Sequence, residues 1–158
     1  MTRSFRGGFL GWGNVSTLGF RLAAAIAAKK AFPDRASIAV ASGAGLGYML
    51  GNLEVLLREK LGVTVMHISN GGFAGYGPGF WGAGHDPFTC QVMGYDEVDM
   101  SDVIGALGFH TERVNEPAEV IPPRRRALDV NASGRLTYVE FICSQHPVYG
   151  QWVGRREG

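Results

Sequence analysis

The residue types most able to do chemistry lie in two glycine-rich turns. Ser42-Gly43-Ala44-Gly45 follows a short apolar run, SIAVA from Ser37 to Ala41, and leads into Leu46 and Gly47. A buried strand that ends in such a turn and continues as a helix points several backbone N–H groups at one place, where a phosphate can sit. Asn70-Gly71-Gly72 comes just after the next apolar run, VTVMHI from Val63 to Ile68. In open parallel sheets ligands collect outside the carboxyl ends of adjacent strands, so two neighbouring glycine-bearing strand ends predict a site. The first turn matches neither G-x-x-x-x-G-K-[ST] nor G-x-G-x-x-G, and a tight turn without a ligand would also call for glycine.

A different chemistry is offered by Asp129 to Glu140, DVNASGRLTYVE. Asp129, Asn131, Ser133, Gly134, Leu136 and Glu140 fall on the first, third, fifth, sixth, eighth and twelfth positions of a calcium-binding EF-hand loop. The flanks argue against it: Pro122-Pro123 shortens a helix before the loop, Tyr138 to Ile142 favours a strand after it, and no second loop accompanies it. Of the four histidines, His67, His85, His110 and His146, no two have metal-ligand spacing. His67 reads as a hydrogen-bonded core residue inside a strand, whereas His85, beside Asp86 in a glycine-rich loop, is a candidate substrate contact. Cys90 and Cys143 are too few for a disulfide framework or a zinc site, which suits a reducing cytoplasm.

The elements that must position these residues alternate along the chain. Leu18 to Ala31 predicts a helix, with Lys29 and Lys30 at its negative end before Pro33. Ser37 to Ala41 predicts a buried strand. Leu46, Met49, Leu50, Leu53, Leu56, Leu57 and Leu61 recur at helical spacing and predict one helix closed by Gly62. Val63 to Ile68 predicts a second buried strand, and this strand–helix–strand unit implies a parallel sheet. From Asn70 to about Gly94 there is no periodicity, only glycines interleaved with Phe73, Tyr76, Phe80, Trp81 and Phe88. A loop of that length is functional or a plain surface excursion. Further on, Met100 to Leu107 predicts a helix, Phe109 to Val114 a strand, Glu116 to Leu128 a helix opening with Pro117, and Leu136 to Cys143 a strand. The expected fold is a three-layer α/β sandwich around a mostly parallel sheet.

With 158 residues, 46% hydrophobic and 18% charged, the chain is expected to form a single domain over residues 1–158 without disulfides or a structural metal. A net charge of +1 gives no reason to expect nucleic acid as a partner, and the run Arg124-Arg125-Arg126 reads as a solvated helix start. Arg3 and Arg6 ahead of apolar residues give a faint likeness to a targeting peptide. Gly11, Gly13, Asn14 and Arg21 break that apolar run, so no membrane span is expected.

The two glycine turns and their flanks resemble thiamine-diphosphate-dependent enzymes of the acetolactate synthase type, in their C-terminal, diphosphate-binding domain. In that family a strand leads into Gly-Asp-Gly, then a helix and a strand, then an Asn pair about 27 residues after the aspartate. Ile38 to Tyr48, IAVASGAGLGY, is similar to the family's strand and turn. Glu54 falls where the family's helix carries a glutamate, and Ser69-Asn70-Gly71-Gly72 falls on the Asn-Asn-x-Gly, with Asn70 at the family's spacing from Gly43. Upstream, Thr17 to Arg35 ends in the family's Pro-Asp-Arg. Downstream, Ile104 to Phe141 is similar to the closing portion of acetolactate-synthase-like chains, with Ala-Leu-Gly, Arg-Val, Glu-Pro-Ala-Glu and Val-Glu-Phe.

The resemblance implies thiamine diphosphate as cofactor, held by Leu18, Ser42, Gly43, Ala44, Gly45, Asn70 and Gly72, with Asn70 and the carbonyl of Gly72 as ligands of Mg²⁺. Leu18 falls near the family's bulky residue that supports the bent cofactor, although it reads equally as a core leucine at a helix start. The implied chemistry is cleavage next to the carbonyl of a small 2-oxo acid, as in a decarboxylase, lyase or transferase. The sequence departs from the family at Gly43, which stands where the metal-binding aspartate belongs, so magnesium binding is expected to be weakened. The resemblance also implies that the domain's opening strand is missing and that the activating glutamate must come from a pyrimidine-binding domain or subunit. The chain is then a cytoplasmic component of an oligomer, inactive alone. The other reading is a degenerate, non-catalytic homologue acting as an assembly or regulatory module. Apolar surface is expected to be exposed at the loop from Phe73 to Phe88.

Overall fold

A computed structural model of the chain describes residues 8–11, 17–71 and 98–143. Four parallel strands form one sheet in the order β1-β2-β4-β3: β1 Ser37–Ser42, β2 Val63–Ser69, β3 His110–Val114 and β4 Thr137–Ile142. β1 pairs β2 with Ala41 opposite His67, and β2 pairs β4 with His67 opposite Glu140. This register places the ends of β1 and β2 side by side.

The helices are α1 Phe20–Ala31, α2 Gly43–Gly47, α3 Leu53–Arg58, α4 Met100–Ala106 and α5 Ile121–Ala132. Leu22 and Ala25 of α1, Leu46 of α2, Leu53 and Leu56 of α3 and Ile104 of α4 share one core with Ala39, Ala41, Val63, Val65 and Tyr138 of the sheet. Ala127 of α5 packs with Val114 and Val139, which alternation along β4 turns to the other face. Helices therefore cover both faces, as the expected α/β sandwich requires.

Three expectations are corrected. The helix predicted from Leu46 to Leu61 is split: α2 begins earlier, at Gly43, a 3₁₀ turn occupies Leu50–Asn52, and α3 follows. Gly43, Gly45, Gly47 and Gly51 weaken helix propensity through this stretch, so the apolar periodicity is met by short helical pieces. Strand β1 is not buried on both faces. It lies at a sheet edge, and Ile38 and Val40 are 43% and 41% exposed while Ala39 and Ala41 are buried. The helix predicted over Glu116 to Leu128 is a 3₁₀ turn at Pro117–Glu119 followed by α5, which runs on to Ala132. Pro122 and Pro123 sit in its first turn, where a missing N–H costs little.

That last extension removes the calcium loop. Asp129 and Asn131 lie within α5, whereas Glu140 lies in β4 and is fully buried. A helix and a buried strand cannot wrap these side chains around one ion. Gly62 packs closely where the chain re-enters the sheet, since a Cβ there would stand 3.2 Å from the backbone oxygen of Asn131. The arginine run is exposed, as expected, with Arg126 donating to Glu112. Among the described residues no helix is long and apolar enough to cross a membrane.

Candidate functional site

A cavity of about 840 Å³ opens at the carboxyl ends of β1 and β2. One wall is the turn of Gly43, Ala44 and Gly47; another is Ser69, Asn70 and Gly71, and Met100, Ile142 and Cys143 close the far side. Gly71 has φ +65°, a left-handed conformation that glycine adopts without penalty and that turns the chain sharply after β2. Gly47 has no such need. A Cβ there would meet nothing within 4 Å, so the packing tolerates a side chain where the sequence has none. Glycine at such a wall leaves the backbone open to close approach by a ligand.

The expected site residues divide between two neighbouring cavities. Gly43, Ala44 and Asn70 line the large one, whereas Leu18, Ser42 and Gly45 line a smaller one of about 80 Å³ with Thr17 and Arg21. Leu18 is 43% exposed. Gly72, His85, Cys90, His146 and the aromatic loop from Phe73 to Phe88 lie outside the described residues.

Behind the cavity sits a buried polar network. His67 lines the cavity and is 1% exposed. Its Nδ1 is 2.6 Å from the Tyr138 hydroxyl and 3.6 Å from Glu140 Oε1, while its Nε2 is buried without a hydrogen-bond partner among the described residues. Glu140 Oε2 accepts from the Ser101 backbone N–H at 3.2 Å and from the Ser101 hydroxyl at 2.9 Å, with Arg113 Nε at 3.9 Å. Arg113 continues the chain to Asp99, which caps α4 by accepting from the Asp102 N–H. Burial lowers the His67 pKa below its ordinary value of 6.5, and the Glu140 carboxylate offsets this only in part. The ring alone reads as hydrogen-bonded core, as its sequence context predicts. Its link to Glu140 is not readable from spacing alone; the available signal is Tyr138 and Glu140 alternating on one face of the predicted last strand.

The wall fits a metal ion poorly and an organic diphosphate better. Among the described residues no Asp or Glu lines the cavity, Gly43 has no side chain, and Asn70 offers a neutral amide. Among the described residues no cluster of three His, Cys, Asp or Glu could hold a metal. Magnesium wants hard, charged oxygens in near-octahedral array, and these residues do not supply them. A diphosphate needs donors and backbone access, which the glycine turn and His67 can provide.

Comparison with known proteins agrees with the geometry. The family described as "Thiamine pyrophosphate enzyme, C-terminal TPP binding domain" matches residues 1–141. Among solved structures, the Rhodococcus jostii RHA1 thiamine diphosphate-dependent 4-hydroxybenzoylformate decarboxylase is similar in fold, with a TM-score of 0.62 and 20% identity. The match covers 80% of this chain and 23% of that one, so the chain spans about a quarter of that enzyme. No curated protein sequence matches.

Proposed function

Because the chain belongs to the family of thiamine pyrophosphate enzyme C-terminal TPP-binding domains, we propose that it is the diphosphate-binding domain or subunit of an acetolactate synthase- or 2-oxo acid decarboxylase-like enzyme. The observation that carries this reading is the large cavity at the ends of β1 and β2, bounded by the Gly43 turn on one side and Asn70-Gly71 on the other. When bound, the cofactor supplies the electron sink for cleavage next to the carbonyl of a small 2-oxo acid. This chain's residues bind and orient it. The backbone of Gly43, Ala44 and Gly45 receives the phosphates, Asn70 and Gly72 border them, and Leu46, Leu50 and Met100 keep water from one side of the cavity. Leu18, across the turn, supports the cofactor from the smaller cavity.

Residues 1–158 act as one domain and need a pyrimidine-binding domain, on the same or another chain, for the activating glutamate. We assign no step to magnesium, since the family's remaining ligand positions, Asn70 and the Gly72 carbonyl, carry no charge. The free Cys143 thiol favours a reducing cytoplasm. A second reading, a non-catalytic homologue that serves assembly or regulation, is favoured by the lack of a carboxylate among the described residues of the wall. Calorimetric titration of the purified chain with thiamine diphosphate, alone and mixed with a separately produced pyrimidine-binding domain, tests both. Cofactor binding that strengthens with the partner, together with decarboxylation of a 2-oxo acid by the mixture, is the expected result. Binding without turnover in the mixture would favour the non-catalytic homologue, and no binding in either case would overturn the cofactor reading.

A further inference from the structure

The buried network behind the cavity has an unmet donor or acceptor at its ligand-facing end. His67 is 1% exposed, lines the same cavity as Gly43, Ala44 and Asn70, and has no hydrogen-bond partner for Nε2 among the described residues. Buried polar groups in native structures are almost always paired, so an orphaned ring nitrogen on a cavity wall points to a ligand atom. The five-residue α2 is too short for its end alone to hold an anion, so the backbone of the turn needs a side-chain donor beside it.

We propose that this chain grips a diphosphate directly through protein donors, with the Nε2–H of His67 as the side-chain donor to a phosphoryl oxygen, in place of a magnesium bridge. This rests on the thiamine-diphosphate reading above. Among the described residues, several groups face the ring or its partners. On β4, Tyr138 lies 2.6 Å and Glu140 3.6 Å from Nδ1; Ser101 of α4 and Arg113 of β3 touch Glu140 from behind; and Ala41, its neighbour on β1, is apolar. Two ring states place a proton on Nε2. In one, the Tyr138 hydroxyl donates to Nδ1 of a neutral ring; in the other, Glu140 is the counter-ion of a cationic ring. An anion in the cavity favours both over the form with a bare Nε2. Among the described residues on the wall, no Asp or Glu repels that anion or recruits a metal to it.

The test uses the whole chain and two probes, thiamine diphosphate and inorganic pyrophosphate. Each is titrated calorimetrically in EDTA and then in Mg²⁺, and the imidazole ¹⁵N resonances of His67 are followed in parallel. The expected result is binding that EDTA leaves unchanged, with the Nε2 resonance moving toward its protonated position. His67→Phe is expected to weaken binding about 10-fold or more, as for a hydrogen bond to a charged group. His67→Gln, whose amide can reach the Nε2 position, is expected to recover part of it. Binding that requires Mg²⁺, or that leaves the His67 resonances unmoved, would overturn the proposal while the cofactor reading stands. No binding of either probe under any condition would overturn both. The ¹⁵N readout comes from the unaltered chain, so it decides even if His67→Phe fails to fold.

Discussion

His67 and Tyr138, 71 residues apart in sequence, meet at 2.6 Å between Nδ1 and the phenolic oxygen, on the two central strands and behind the candidate cavity. The parallel register of β2 and β4 makes this contact possible: with His67 opposite Glu140, Tyr138 falls on the same face two residues earlier. The pair therefore joins the sheet's core to the wall of the site.

Removing the hydroxyl tests that link. Tyr138→Phe keeps the buried ring but strips His67 of its nearest partner, and is expected to destabilise the fold by about 1–2 kcal/mol. Urea denaturation followed by circular dichroism measures it. A cost near zero would mean that the hydroxyl and Nδ1 are not bonded in solution.

The same histidine makes stability depend on pH. Its folded pKa is lowered by burial, so below 6.5 the unfolded chain takes up a proton that the folded chain resists. Stability rises with pH wherever the unfolded state holds more protons. It is thus at its full value above 6.5 and falls as the pH drops from there towards the lowered folded pKa. Thermal melts across that interval are expected to show the fall in the wild-type chain and a shallower one in His67→Gln. Equal slopes would show that His67 is protonated alike in both states.

Much of this was legible in the sequence, and the rest failed for physical reasons. The alternation of elements, the parallel sheet and the two glycine turns at neighbouring strand ends all follow from apolar runs and their breaks. The exposed face of β1 did not, because an apolar run such as Ile38 to Ala41 looks the same whether one face is covered or two. The split between α2 and α3 was masked because leucine periodicity outlasts the glycines that interrupt the backbone helix. The strand that holds Glu140 was legible, but its burial was not, because a twelve-residue loop pattern fixes spacing and says nothing about whether its last member faces solvent or core. Its partners, Ser101 and Arg113, lie on elements that only the sheet order brings near.

Calcium offers a direct check on that reading. Asp129 and Asn131 sit on α5 and Glu140 points into the core, so added Ca²⁺ is expected to leave the melting temperature unchanged. Asp129→Ala, at an exposed helical position, is expected to change stability by no more than about 0.5 kcal/mol. A rise in melting temperature with Ca²⁺ that Asp129→Ala abolishes would restore the calcium site.

Gly43 provides the last prediction. It begins α2 on the cavity wall, opposite Asn70 across the ends of β1 and β2, and it carries no side-chain oxygen. An aspartate there would add the missing charge to the neutral Asn70 amide, and acidic groups are favoured in the first turn of a helix. Gly43→Asp is therefore expected to make cofactor binding depend on Mg²⁺. Affinity for thiamine diphosphate with Mg²⁺ should exceed that in EDTA by about 10-fold or more, because even outer-shell losses at metal sites cost that much. Calorimetry in the two buffers measures the ratio. If the variant folds with its native melting temperature and the ratio stays at one, Gly43 and Asn70 do not face a common ion, and the cavity's diphosphate end must lie elsewhere on its wall.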